Sequence, residues 1–167
     1  MAATISVLFN SGVTVTETAT GTYVSSADNT ITLNGMNDSS TYTASTSVPV
    51  TKATAYQLTM SSGTGTIDLT ALPGLTADET IVGTGLKLQM LKLRNLSTNA
   101  NAITCAKGAS NGYGLPVAGT TWTVTLSPGQ SITFFGNDSA PDVASGAKTI
   151  DVTGTASQIL EVTAVLG

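Results

Sequence analysis

Hydroxyl and apolar residues alternate along most of this chain, and no window of about a dozen residues sustains a helical 3.6 period. Side chains of an extended strand point to opposite faces in turn, so this alternation dictates strands with one buried and one wet face. The stretches that carry it are Thr4 to Phe9, Val13 to Thr20, Thr30 to Leu33, Ala53 to Met60, Thr66 to Thr70, Leu86 to Leu96, Ala102 to Ala106, Thr121 to Leu126, Ser131 to Phe135, Lys148 to Thr153 and Ile159 to Leu166. Turns rich in Gly, Pro and Asn separate them at short spacings, the punctuation of an all-β sandwich or barrel. In Ala53 to Met60, Tyr56, Leu58 and Met60 share one face while Gln57 and Thr59 share the other.

Two places say more about the architecture. In Leu86 to Leu96 the apolar phase runs Leu86, Leu88, Met90 and then slips by one residue to Leu91 and Leu93. A β-bulge between Met90 and Leu91, or a strand crossing between two layers, produces such a slip and suits a curved antiparallel β-sandwich or jelly roll. Trp122, Val124 and Leu126 precede Ser127-Pro128-Gly129-Gln130, and Ile132, Phe134 and Phe135 follow it. Pro presets φ and Gly tolerates positive φ, so a type II turn is expected, joining the two strands as a hairpin. Thr76-Ala77-Asp78-Glu79 spells a capping box that predicts one helical turn, ended by Gly83 and Gly85.

Composition explains how such a chain stays in solution. Of 167 residues only 10% are charged, while 31 are Thr and 17 Ser. This length suits one domain, or one domain with an appendage. Residues 1–52 carry only Glu17, Asp28, Asp38 and Lys52 as charges and few large apolar groups, so they are read as a Thr/Ser-rich N-terminal β arm or outer layer leaning on the β-sandwich of residues 53–167. Net charge is −4, the opposite of the basic footprint that phosphate-backbone binding requires, and nucleic acid is not an expected partner. Met1 to Phe9 has neither the basic start nor the long apolar run of a secretory leader, and no apolar run approaches the ~18 residues of a membrane span. Synthesis in the cytoplasm and no membrane partner are expected.

The chemistry open to the chain is narrow. It has no histidine, which removes His-based acid–base catalysis, Ser-His-Asp and Cys-His nucleophiles and most zinc sites. The single Cys105 sits in an apolar stretch and is read as a small buried hydrophobe. Gly108-Ala109-Ser110-Asn111-Gly112 matches the nucleophile-elbow pattern without a histidine to activate the serine, and is read as a turn. Asn137 to Asp142 gathers oxygen ligands in one loop but lacks the cadence of a calcium loop, and is read as a solvated turn. Trp122 is a sugar platform only if it leaves its alternating core position. Lys87, Lys92, Arg94 and Lys107 cluster in sequence, with Lys92 and Arg94 on one strand face. They are read as outward positions of a half-buried strand or as a docking spot for an acidic protein surface. No catalytic residue, cofactor or metal ligand is assigned, and a non-enzymatic protein is expected.

The C-terminal half resembles a type of β-sandwich protein encoded among the structural genes of tailed bacteriophages. The carrying residues are Leu88 to Asn95 (LQMLKLRN), Thr98 to Thr104, Gly108 to Gly114 (GASNGYG), Leu126 to Gln130 and Gln158 to Val162. The resemblance implies a virion component of jelly-roll-like fold. Its expected form is a capsid decoration (cement) protein that binds the major capsid protein on the head and assembles as a homotrimer; the alternative is a head or tail fibre or a carbohydrate- or receptor-binding module. Composition points the same way, since charge-poor, Thr-rich strand surfaces suit self-association.

Overall fold

A computed structural model describes residues 5–19, 29–33, 37–74, 76, 79–115 and 121–167. Its regular structure among those residues is β: β1 (Ser6–Ser11), β2 (Val15–Ala19), β3 (Asn29–Leu33), β4 (Asp38–Thr43), β5 (Lys52–Thr59), β6 (Thr64–Asp68), β7 (Leu72–Pro73), β8 (Thr80–Ile81), β9 (Leu88–Asn95), β10 (Ile103–Lys107), β11 (Thr123–Leu126), β12 (Ser131–Phe135), β13 (Thr149–Thr153) and β14 (Ile159–Leu166). The expected all-β antiparallel sandwich forms. One four-stranded sheet runs β11-β10-β13-β6 and the other β12-β9-β14-β5. The pairing is nested: β5 with β14, β6 with β13, β9 with β12 and β10 with β11, the pairs falling alternately in the two sheets.

The alternation read from the sequence builds the core between these sheets. Ile67, Ile103, Cys105, Leu126, Ile150 and Val152 come from the first sheet, facing Leu88, Leu91, Leu93, Leu160, Val162 and Leu166 from the second. Each fully buried aliphatic side chain contributes about 1.5–3 kcal/mol relative to exposure, so this double layer is the main stabilising element. Tyr113 is buried among them, its hydroxyl donating to the Pro141 carbonyl at 2.6 Å and accepting from the Leu88 amide at 3.0 Å.

Two sequence expectations change, and a third falls partly outside the described residues. The bulge lies earlier than expected: Val165 pairs with Met90 and Leu166 with Leu88, leaving Gln89 as the extra residue. Leu88 thereby stays on the core face with Leu91 and Leu93, while Met90 turns to the outer face. The apolar pattern misplaced the slip because Met90 is also buried, in a different cluster. Buried Gln89 is satisfied, accepting from the Asp138 amide at 3.0 Å and donating to the Asp138 carboxylate at 3.1 Å.

The stretch around Pro128 makes the expected turn, with Gln130 N–H donating to the Ser127 carbonyl at 2.9 Å and Gly129 at φ 84°, but not a hairpin ladder. Strand β11 pairs with β10 and β12 with β9, so the turn carries the chain from one sheet to the other. Buried Asn95 holds this corner, its side-chain amide donating to the carbonyls of Leu126 and Asn101 at 2.8 and 3.1 Å. Finally, the connection expected to hold a helical turn is closed by a two-residue ladder between β7 and β8, with Glu79 N–H donating to the Thr76 carbonyl. Ala77 and Asp78, in the middle of that expectation, lie outside the described residues.

Strand β4 was not read from the sequence. Asp-Ser-Ser-Thr-Tyr-Thr holds one large apolar group, too few for a period-two signal, and its strand geometry comes from pairing with β1. Strands β1–β4 form two successive antiparallel ladders, β1 with β4 and β2 with β3, as a ribbon nested on itself.

Candidate functional site

The two outer faces of the sandwich differ. On the first sheet the registers align Thr125, Thr104, Thr153 and Thr64 across four strands, with Thr123, Ala106, Asp151 and Thr66 in the next row. The hydroxyls of Thr104 and Thr125 lie 3.0 Å apart, within hydrogen-bond distance. Asp151 accepts from the Ala109 amide at 2.8 Å. At the edge, Asp68 meets Lys148 at 2.9 Å. Partial burial pushes the Asp68 carboxyl up, but hydrogen bonds from Thr70 and Lys148 outweigh it and hold the carboxyl below its ordinary range. This face is a nearly neutral hydroxyl surface.

The outer face of the second sheet is divided. Across one half Met90, Val165 and Val50 are buried beneath Ile5, Val7, Phe9 and Tyr42 of the ribbon. Phe135 anchors the contact, stacking on Phe9 at 4.9 Å between ring centroids and lying 5.4 Å from Tyr42. The base of the ribbon is thus a third layer, and its outward side presents Leu8 at 63% exposure, followed by Val13 at 76%.

The other half of that face is open. Its rows are Thr133, Lys92, Thr163 and Ala55, then Ser131, Arg94, Glu161 and Gln57. Arg94 Nη1 lies 3.1 Å from Glu161 Oε2 across the strands. Ala55, Gln57, Lys92, Arg94, Glu161 and Thr163 line a depression of about 350 Å³. Lys92 and Arg94 do share a face, as their spacing predicts.

The remaining sequence candidates fall apart as sites. Cys105 is fully buried on β10, and burial pushes its thiol up to about 12. Ser110 lies in a turn with Asn111 at φ 54°, its carbonyl accepting from the Thr149 hydroxyl at 2.5 Å. Trp122 is 7% exposed, its indole N–H donating to the Tyr113 carbonyl at 3.0 Å, so the sugar-platform reading of this residue falls. In the Asn137–Asp142 loop, hydrogen bonds from Gln89 and Lys87 hold the Asp138 carboxyl below its ordinary range, with Lys87 3.2 Å away. Among the described residues no three His, Cys, Asp or Glu side chains stand together as a metal cluster.

The residues that shape the divided face were only partly legible. The adjacent apolar pairs Met90-Leu91 and Phe134-Phe135 are the signal: in a strand two consecutive large apolar groups require both faces to be covered. Phe134 joins the main core and Phe135 the ribbon contact. No protein-family model, no curated protein and no solved structure matches this chain.

Proposed function

We propose that this chain is a non-enzymatic structural subunit of a virion, a decoration protein that bridges major capsid subunits on a tailed-bacteriophage head and associates with itself as a trimer. The observation that carries the reading is the ribbon. An isolated two-stranded hairpin is marginal in water. This one is stabilised at its base by Phe135, Met90 and Val165, while its outer ladder of β2 and β3 pairs with no third strand among the described residues. A ribbon held at one end and carrying exposed Leu8 and Val13 offers strand edges and apolar surface to a neighbouring subunit.

The nested strand order supports the same reading. Pairing first with last, second with seventh, third with sixth and fourth with fifth in two four-stranded sheets is the order of an eight-stranded jelly roll, an architecture used in capsid and lectin domains. Fold alone does not choose between those roles. The described aromatic side chains favour the structural one, because they pack into the two clusters instead of standing on loop tips as a sugar platform.

The test is twofold. Light scattering on purified protein should give three times the chain mass, and antibody against it should label phage heads, with stripped heads rebinding the protein. A monomer that labels no particle overturns the reading. Specific binding on a glycan array with no head binding replaces it with the receptor-binding module.

A further inference from the structure

We infer that the open half of the second sheet's outer face is the seat for the ribbon of a second copy of this chain. The inference rests on the self-association proposed above and names the surfaces involved. Charge selects the occupant. The strands of the ribbon carry Glu17 and Asp38 and no lysine or arginine, so their charged side chains are all acidic. The open half presents Lys92 and Arg94, two of the six cations in the chain. Among the described residues the Lys92 side chain is exposed and makes no hydrogen bond or ion pair, and Arg94 meets Glu161 in a solvent-exposed pair that a second carboxylate can share or replace.

Continuity with an existing interface points the same way. The base of the ribbon already lies on the Met90 and Phe135 half of this face in its own chain, and Lys92 and Arg94 follow Met90 at two-residue steps on the same side of the strand. Those two rows extend roughly 13 Å beyond Met90, room for a two-stranded ribbon about 10 Å wide. Thr163, Ala55 and Thr133 are small and form a floor that a second β layer can approach. The first sheet's threonine face lacks this match: its charged groups, Asp151 and the Asp68 with Lys148 edge, are already paired.

The docking sets cations on the sheet against carboxylates on the ribbon, so it is steered by charge and weakened by salt. The experiment is a charge exchange read by sedimentation velocity on the full chain. Lys92→Glu with Arg94→Glu, and separately Glu17→Lys with Asp38→Lys, should each weaken self-association at least tenfold. The four substitutions combined should return it to within about threefold of the natural chain. All positions lie on solvent-facing strand surface or in the ribbon, and far-ultraviolet circular dichroism and melting of each variant confirm that the sandwich is intact. Wild-type protein that is monomeric at every concentration overturns self-association and this docking together. Wild-type oligomers that neither charge set disturbs, or a loss that the combined variant does not restore, overturn the docking and leave the self-association standing.

Discussion

The sandwich and the ribbon are written in the same vocabulary, threonine alternating with an apolar partner, yet they are stabilised in opposite ways. In the sandwich each strand contributes one apolar row, and two such sheets bury Leu91, Leu93, Ile150 and Leu160 completely, leaving Thr104, Thr123, Thr125 and Thr153 outside. The ribbon has no opposing layer of its own. It borrows one, placing Ile5, Val7, Phe9 and Tyr42 on the back of the second sheet and leaving Leu8 outward. The difference teaches that a period-two pattern specifies a face to bury but not the surface that buries it.

The largest effect that tests this contrast is in the sandwich. Leu93→Ala opens a cavity in a fully buried site and should cost about 2–5 kcal/mol in urea unfolding. A loss below 1 kcal/mol would show that the core is not the main source of stability. Tyr113→Phe should cost about 1–3 kcal/mol, because it leaves the Leu88 amide and the Pro141 carbonyl without their partner inside the core.

Phe135→Ala addresses the ribbon alone. Loss of the stacked contact with Phe9 should cost about 1–2 kcal/mol and raise hydrogen exchange in Ser6–Ser11 and Asp38–Thr43 while β14 stays protected. Equal loss of protection in both regions would make ribbon and sandwich one cooperative unit and dissolve the contrast.

The smallest effect is electrostatic. Asp68 is held below the ordinary carboxylate range by Thr70 and Lys148, so its stabilisation is complete above about pH 4, the value of the unfolded carboxyl, and is lost as pH falls through the lower folded value. Solvent screening keeps it below about 1 kcal/mol. Asp68→Asn should flatten that part of the acid-unfolding curve, and an unchanged slope would remove Asp68 from the acid response.

Much of the fold was legible. Strands β12 and β14 match their expected bounds, and the core faces of β5 and β14 follow the alternation. What escaped was non-local. Strand β4 has one large apolar residue and exists through its partner. Asn95 and Gln89 look like ordinary surface amides in sequence, yet both are buried and hold the corner and the bulge. The candidate surface was half visible: the spacing of Lys92 and Arg94 put them on one face, but nothing local showed that the ribbon covers the neighbouring rows.

By itself the sequence determined that this chain is β throughout its described structure, that its outward surface is hydroxyl instead of charge, and that histidine chemistry is closed to it. These are properties of each residue and its near neighbours, which alternation and composition report directly. Only the tertiary structure decided that the Ser127 to Gln130 turn joins two sheets, that the bulge falls at Gln89, and that Met90 and Phe135 seat the ribbon. Those choices depend on which distant strand supplies hydrogen bonds and which distant face supplies burial, and a local turn or apolar residue is compatible with more than one answer until the whole chain has packed.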